Sequence, residues 1–180
     1  MELPAHDAGF QEAQKMFIDG WQKPQKPRVG RVFRIQMGEA AQEGRGKYQA
    51  SAGDCFRIPV WYSAQCICDL GAPNKQLEFC SYKSCGICIP LTTAFTAFEF
   101  GQAVLRGNFG EGIYMTRDPS LADQFAISTT GSPFRVILLN SLVLPTRPAR
   151  KGESVLSDNG DVFFKNPLAI TPDYLICYQK

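Results

Sequence analysis

The first regular pattern along the chain is an amphipathic helix. Apolar residues recur at a helical spacing from Phe10 to Trp21, so that they share one face. Pro24 and Pro27 follow, and proline cannot continue a helix because it lacks the backbone N–H. We therefore expect residues 1–28 to form an N-terminal unit, in which the helix packs by one face and a Pro/Lys-rich linker follows it.

Beyond residue 28 the pattern changes to short runs typical of strands. Residues 29–37 mix apolar with basic and polar positions, as a half-buried strand does, whereas residues 135–144 are almost wholly apolar, as a buried strand is. Residues 38–53 are expected to be loop with a short helix around Tyr48. The strands predicted in this part of the chain are 29–37, 56–63, 112–116, 135–144, 162–164 and 174–178.

The order of these elements predicts the fold class. One helix comes first, many short strands with long loops follow, and the sequence shows no internal repeat. Such a chain favours an α+β fold with a mixed, mostly antiparallel sheet over a doubly wound sheet, which needs strands and helices in alternation. We expect residues 29–180 to form this domain.

Composition and charge exclude several classes of function. The 180 residues are 44% hydrophobic and 20% charged, which suits one globular domain with a sizeable core. The net charge of +2 and the lack of a basic stripe argue against nucleic-acid binding. No apolar run approaches the ~18 residues that span a bilayer, and the N-terminus lacks a signal-peptide pattern. We expect an intracellular protein, of the cytoplasm or nucleus, with no membrane partner.

The cysteines are the most unusual feature of the composition. Five of the seven fall between Cys66 and Cys88, a segment with little periodicity that we expect a metal rather than a core to order. A tight turn over Cys85-Gly-Ile-Cys88 brings two thiolates to one ion, and Cys68 and Cys80 can supply two more. Four thiolates close a tetrahedral structural zinc site with no open position. The spacing therefore predicts zinc bound by Cys68, Cys80, Cys85 and Cys88.

Other interpretations of these cysteines stay open. They could be buried free thiols. Cys85 and Cys88 could instead form a redox pair, although the strand-to-helix context that lowers a thiol pKa in that motif is missing. Cys66 competes with Cys68 as the fourth ligand. Outside the cluster, the other two cysteines are expected to be buried in strands, and they are Cys55 and Cys177.

A glycine-rich segment carries the most specific motif. The run Phe109-Gly-Glu-Gly-Ile-Tyr114, followed by Ser120-Leu-Ala-Asp-Gln-Phe125, resembles the Phe-Gly-x-Gly-Ile-Tyr motif and second aromatic of poly(ADP-ribose) polymerase catalytic domains. The spacing from Tyr114 to Phe125 equals that of the two rings which sandwich nicotinamide in the family. The cysteine-rich insert that precedes the motif is similar to that of the fungal branch.

The resemblance implies an ADP-ribosyltransferase-like fold with NAD as its substrate. Tyr114 and Phe125 would stack on the two faces of nicotinamide, which is flat. Gly112 would let the backbone approach the ligand. The zinc insert corresponds to residues 66–90, and the closing strand of the family matches residues 169–178.

The chain departs from the family at its first active-site element, a His-Gly-Ser/Thr strand. The only histidine is His6, far upstream. Trp61 matches the aromatic that precedes the element, so Tyr62 takes the place of the histidine. Ser63 then replaces the glycine, and Ala64 replaces the Ser/Thr. A tyrosine hydroxyl can hydrogen-bond a ribose and Ser63 keeps its backbone groups for a carboxamide, but Ala64 offers no hydroxyl.

The glutamate that the family places four residues before the aromatic of a late strand is also missing. Phe164 puts Gly160 at this position, between Asp158 and Asp161. A carboxylate there would deprotonate the acceptor nucleophile, which is worth about 10²–10⁴-fold in rate. Asp161 could replace it only through a bulge, because a one-residue shift in a strand reverses the side-chain face. The alternative for residues 158–161 is a solvent-exposed turn.

The sequence thus predicts an NAD-dependent ADP-ribosyltransferase-like protein with an altered catalytic motif. Mono-ADP-ribosyl transfer from NAD to a protein or other acceptor is the leading hypothesis, with Tyr62, Tyr114 and Asp161 as candidate catalytic residues. The alternatives are a catalytically degenerate pocket that binds NAD or ADP-ribose, and a zinc-stapled protein-interaction module. The residues expected to contact NAD are Trp61, Tyr62, Ser63, Gly112, Tyr114 and Phe125.

Overall fold

A computed structural model describes residues 1–128, 133–147 and 150–180 of the chain. None of the helices in these ranges has the length and apolar character to cross a membrane. The helices are α1 (Ala8–Gly20), α2 (Glu39–Ala52), α3 (Cys88–Thr92) and α4 (Pro119–Ala122). The strands are β1 (Glu2–Leu3), β2 (Arg28–Arg34), β3 (Cys55–Tyr62), β4 (Leu105–Gly107), β5 (Gly110–Thr116), β6 (Arg135–Pro145), β7 (Ser154–Leu156), β8 (Asp161–Phe164) and β9 (Ile170–Gln179).

The strands form one sheet in the order β1-β2-β9-β6-β3-β5-β8-β7, and β4 pairs with β5 as a hairpin. Every pair of named strands within the described ranges is antiparallel. An isolated parallel bridge joins Cys66 to Ser128. The prediction of an α+β fold with a mostly antiparallel sheet and short helices is confirmed.

Helix α1 forms where the apolar periodicity predicts it. The Asp7 carboxylate accepts a hydrogen bond of 2.7 Å from the Gly9 N–H and caps the helix start. On the buried face, the ring of Phe17 packs against those of Trp61 and Tyr178, with centroid distances of 5.6 and 4.9 Å. The N-terminal segment is therefore packed on the same sheet as the rest of the chain.

Strand alternation divides the core into two clusters, one on each face of the sheet. In β6, Val136 and Leu138 belong to the first cluster, whereas Ile137 and Leu139 belong to the second. Helix α1 covers the second face. The first face is covered in part by the cysteine-rich segment and α3.

The cysteine-rich segment packs more closely on the sheet than its lack of periodicity indicated. Ile87, Leu91 and Phe95 are buried in the first cluster together with sheet residues such as Val60. Burying a side chain of this size contributes about 1.5–3 kcal/mol. The expectation that a metal alone orders this segment is therefore wrong, because hydrophobic packing holds it as well.

The sheet is most open between β3 and β5. Strand β3 pairs with β6 along its whole length, from Cys55 to Tyr62, but with β5 only through Trp61 and Thr116. After Tyr62 the chain leaves the sheet and enters the cysteine-rich segment. A gap opens between β3 and β5 at this point, and the candidate site lies in this gap.

Candidate functional site

A cleft of about 1050 Å³ opens where β3 and β5 separate. Small-molecule and cofactor sites typically measure about 300–1,000 Å³, so this cleft is large enough for a dinucleotide. The residues around it come from the end of β3, from the segment 98–109 that leads through β4 to β5, from β5, from α4 and the turn after it, and from the start of β8. Six of the seven residues that the sequence analysis selects for NAD binding or catalysis line this cleft, namely Trp61, Tyr62, Ser63, Tyr114, Phe125 and Asp161.

Gly112, the seventh residue, is not among those that line the cleft. It lies in β5, where a side chain would collide with the ring of Phe163 and would stand 2.9 Å from the Phe164 carbonyl oxygen. In the structure this glycine allows β5 to pack closely beside β8.

Tyr114 is held firmly by the β4–β5 hairpin. Its hydroxyl donates to the Gly110 carbonyl at 2.7 Å and accepts from the Phe109 N–H at 2.9 Å. Its ring lies almost parallel to that of Phe109, with an interplanar angle of 18° and a centroid distance of 6.4 Å. Phe109 lines the cleft too, although the sequence analysis gave it no role beyond the motif. The hydroxyl of Tyr114 is thus used internally, and its ring, which packs against Phe109 and Phe163, lines the cleft.

Phe125 lies at the edge of the cleft, and 63% of its surface is exposed. It ends the 3₁₀ turn Asp123–Phe125. No ring contact joins Phe125 to Tyr114 within the part of the chain that the structure describes. That the two rings face each other across a ligand slot stays a prediction.

The turn that carries Phe125 is anchored by the wholly buried carboxylate of Asp123. Tyr178 donates to Oδ1 at 2.7 Å, and the ammonium groups of Lys180 and Lys23 lie 2.6 and 3.2 Å from Oδ2. Arg135 adds a third cation at 3.4 Å from Oδ1. Burial alone would raise the pKa of Asp123, but the hydrogen bonds from Lys180, Tyr178 and Lys23 outweigh burial and lower it. The carboxylate is therefore ionised and fixes the turn.

Little of the Tyr62 side chain is exposed to the cleft. Its side chain is buried, and its hydroxyl donates a hydrogen bond of 3.1 Å to the carbonyl of Gly86, inside the Cys85–Cys88 turn. Its ring meets that of Phe95 edge to face, with a centroid distance of 5.8 Å. Burial raises the pKa of Tyr62 above its usual range. The proton of the Tyr62 hydroxyl is donated to the Gly86 carbonyl. The Tyr62 oxygen could therefore only accept a hydrogen bond from a ribose hydroxyl.

The two neighbours of Tyr62 are also engaged inside the protein. Ser63 donates from its hydroxyl to the Val136 carbonyl at 2.7 Å. Trp61 is only 3% exposed, because its ring packs on Phe17 beneath α1. The end of β3 therefore contributes to the cleft mainly its backbone groups and the shape of one wall.

Asp161 lies on the same side of the sheet as Tyr114. It is the first residue of β8, directly opposite Thr116, and the pairing runs in register to the end of β8. This pairing contains no bulge, and Asp161 reaches the side of Tyr114 without the bulge that the sequence predicted as necessary. Alternation places Asp161 on the face of Phe163, whose ring lies 5.1 Å from that of Tyr114. Gly160, at φ +96°, lies in the turn that precedes the strand.

Glu99 is a second carboxylate that lines the cleft, and it is not among the residues predicted from the sequence. It lies in the 3₁₀ turn Glu99–Gly101 and is half-buried, and burial raises its pKa. The sequence does carry a signal for it, since Glu99 is the only charged residue between Lys83 and Arg106. A lone charge in an apolar run needs a reason to be there.

The four predicted cysteine ligands converge on one point. The Sγ atoms of Cys68, Cys80, Cys85 and Cys88 all lie within 4.8 Å of one another. The Sγ of Cys68 is 3.9 Å from that of Cys85 and 3.7 Å from that of Cys88. Four sulfurs bound tetrahedrally at ~2.3 Å from a zinc ion would be about 3.8 Å apart. These four cysteines could therefore hold a metal ion.

Cys66 is a neighbour of this cluster and not a member of it. Its Sγ lies 3.9 Å from that of Cys68, but it falls outside the set of four mutually close thiols. The geometry of the cluster therefore favours Cys68 over Cys66 as the fourth ligand. Cys177 is buried in β9 as expected, whereas Cys55 in β3 is only partly buried.

A second cavity, of about 650 Å³, lies near α1 and the first residues of β9. Its lining includes Arg57 and Asp173, and the Asp173 carboxylate accepts a hydrogen bond of 2.6 Å from Ser141. None of the candidate site residues lines this cavity. The cleft between β3 and β5 is therefore the candidate functional site.

Comparison of the chain with models of protein families and with curated proteins found no match. The functional argument consequently depends on the residues of this chain and on their arrangement around the cleft.

Proposed function

We propose that this protein binds NAD in the cleft between β3 and β5 and transfers a single ADP-ribose unit to a protein or other acceptor. The observation that carries the proposal is that one cleft gathers residues selected from sequence motifs about 100 residues apart, from Trp61 to Asp161. A set of unrelated core residues would have no reason to share one concave surface.

The walls of the cleft suit the nicotinamide end of NAD. The ring of Tyr114 is fixed by its hydroxyl, and Phe125 is exposed at the edge. Stacking between aromatic rings adds about 0.5–1.5 kcal/mol to the burial of apolar area. The same stacking would therefore both bind a flat ring between these two side chains and fix its orientation.

Asp161 is the base in this proposal. The bond between the nicotinamide nitrogen and the ribose C1 breaks, and its electron pair leaves with nicotinamide. The nucleophile of the acceptor forms a bond to C1, and its proton passes to the carboxylate of Asp161. With Tyr62 bonded to Gly86 and no histidine beside it, none of the described residues of the cleft is placed to orient a growing ADP-ribose chain, so the proposed transfer stops at one unit.

The metal in this proposal is zinc, held by Cys68, Cys80, Cys85 and Cys88. An all-thiolate tetrahedron is a closed structural site, and zinc is the ion that most often occupies one. Its role is to fix the Cys85–Cys88 turn, on which the hydroxyl of Tyr62 rests.

Calorimetric titration of NAD and of nicotinamide into the purified protein tests the proposal. We expect saturable binding, and Tyr114→Ala should weaken it at least about tenfold, since a stacked ring and its buried area are lost. Tyr82→Ala is the matched control, because Tyr82 is 60% exposed and does not line the cleft. Zinc content should stay unchanged in both variants. If neither ligand binds the wild-type protein at millimolar concentration, the proposal is wrong.

A second candidate function is supported by the polar groups at the end of β3. The side chains of Tyr62 and Ser63 are bonded internally, and Ala64 offers no hydroxyl. Such a cleft could bind NAD or ADP-ribose without turnover, or serve a zinc-stapled interaction module that binds no nucleotide. Binding of NAD without release of nicotinamide would favour the degenerate pocket, and absence of binding would favour the interaction module.

A further inference from the structure

The carboxylate of Glu99 lines the cleft without a partner of its own. Within the described residues, no hydrogen-bond donor and no cation is paired with it, whereas other acidic groups near the cleft are engaged. Asp161, for example, accepts a hydrogen bond of 3.2 Å from Asn159. A carboxylate that has no donor within the described protein keeps acceptor positions that a ligand in the cleft can use.

The backbone holds Glu99 in this position. The Phe98 N–H donates to the Gln102 carbonyl at 2.7 Å, and the Phe100 N–H donates to the Lys83 carbonyl at 2.6 Å. Phe100 takes a left-handed conformation with φ +57°, which a bulky residue adopts only where its surroundings impose it. Strain of this kind concentrates at ligand sites, and here the two hydrogen bonds hold it in the turn that carries Glu99.

Small residues make room for the carboxylate. A side chain at Gly86 would collide with the Glu99 carboxylate and would stand 2.6 Å from the Cβ of Ala64. Glu99 therefore reaches the region between the cysteine turn and the end of β3 because Gly86 and Ala64 leave space there. Residues 61–65 line the same cleft, so the carboxylate and the aromatic residues border one space.

The charges of the cleft show which end of a dinucleotide belongs beside Glu99. Glu99 and Asp161 are both acidic, and the cation at the rim, Arg106, is exposed and paired with Glu111 at 2.9 Å. A diphosphate beside Glu99 would be repelled. A flat, positively charged ring with an amide N–H to donate would instead be attracted, because a carboxylate can only accept hydrogen bonds.

We propose that Glu99 accepts a hydrogen bond from the carboxamide of nicotinamide and thereby selects the amide over the corresponding carboxylic acid. This inference rests on the proposed function, since it places nicotinamide in the same cleft. It makes Glu99 a specificity-determining residue that contacts the ligand. The carboxylate of nicotinate brings a like charge and no donor to this position, so it is rejected.

Calorimetric titration with nicotinamide and with nicotinate, under identical conditions, tests the inference. The wild-type protein should prefer nicotinamide at least about tenfold. Glu99→Gln should reduce this preference about tenfold, because the new amide can donate to nicotinate. Glu99→Ala should weaken nicotinamide binding about tenfold and should not increase the preference for nicotinamide over nicotinate. Glu43→Gln should match the wild type, since Glu43 lies exposed on α2.

The possible results separate this inference from the proposed function. If the wild-type protein binds nicotinamide and NAD, and Glu99→Gln keeps the full preference for the amide, the inference alone is overturned. If the wild-type protein binds neither NAD nor nicotinamide, both are overturned. Zinc content and the thermal midpoint of each variant show whether it is folded, and Glu99→Ala replaces Glu99→Gln as the deciding variant if the latter is not.

Discussion

The hydroxyl of Tyr62 donates a hydrogen bond to the carbonyl of Gly86, across 3.1 Å. Gly86 is also bonded through its N–H to the Gln65 carbonyl at 2.9 Å. Both backbone polar groups of Gly86, in the turn between Cys85 and Cys88, are therefore hydrogen-bonded to residues at and just after the end of β3, and these residues line the cleft. The cysteine cluster and the shape of the cleft are physically connected through this contact.

Removal of the Tyr62 hydroxyl should destabilise the protein without loss of metal. In Tyr62→Phe the buried carbonyl of Gly86 loses its partner, and the free energy of unfolding should fall by about 1–3 kcal/mol. Denaturant unfolding measures this change, and elemental analysis should still find about one zinc per chain. Tyr82→Phe is the control, because its side chain is exposed. An unchanged stability in Tyr62→Phe would show that the bond to Gly86 has no energetic role.

Zinc should depend on the four clustered cysteines and on no other. Cys85→Ser should lower the metal content well below one ion per chain and reduce the thermal midpoint, because metal binding energy contributes to folding. Cys55→Ser should retain the metal, since Cys55 lies in β3 outside the cluster. Protein prepared under reducing conditions that contains no metal, or a disulfide among the four, would contradict this assignment.

Stability should fall in acid because of Asp123. Its pKa is lowered in the folded chain, so the ionised carboxylate stabilises the fold above about pH 4, and this stabilisation is lost as the pH falls through the folded pKa. At pH 7, Asp123→Asn should cost about 1–3 kcal/mol of unfolding free energy, because a neutral amide replaces the buried, hydrogen-bonded carboxylate, while its three cationic partners stay partly exposed to water. The difference from the wild type should shrink toward low pH.

Unfolding free energies measured from pH 7 to pH 3 check the role of Asp123. Asp19→Asn provides the control, because Asp19 is exposed and pairs only with the exposed Lys15. A constant difference between Asp123→Asn and the wild type over this range would mean that ionisation of Asp123 does not contribute.

Asp161 should be needed for turnover and not for binding. If the protein releases nicotinamide from NAD, Asp161→Asn should lower the rate at least about tenfold with NAD affinity preserved, because general-base help is worth about 10²–10⁴-fold. Asp158→Asn should leave the rate unchanged, since Asp158 is exposed and does not line the cleft. Full activity in Asp161→Asn would remove this residue from the mechanism.

Much of the fold follows from local patterns. The period of α1 and the apolar run of β6 depend only on neighbouring residues, and each element appears where the pattern predicts it. Helix α2 was expected to be mainly loop with a short helix around Tyr48, but it spans 14 residues. Good helix formers such as alanine and glutamine build it without a marked apolar stripe, so periodicity gives little sign of it.

The parts of the site that the sequence could not predict depend on contacts between distant segments. The bond from Tyr62 to Gly86 joins residues 24 positions apart, and only the fold shows that this hydroxyl is already committed. The face of Asp161 depends on its register with Thr116, which the sequence alone does not determine. Glu99 enters the cleft through the space beside Gly86, a relationship that no motif contains.

The most direct test of the account is a crystal structure of the zinc-loaded protein with nicotinamide at saturating concentration. The account predicts the ring between Tyr114 and Phe125, in the cleft between β3 and β5, with its carboxamide nitrogen within hydrogen-bonding distance of Glu99. Nicotinamide bound in the cavity lined by Arg57 and Asp173, or a cleft that remains empty at saturation, would contradict it.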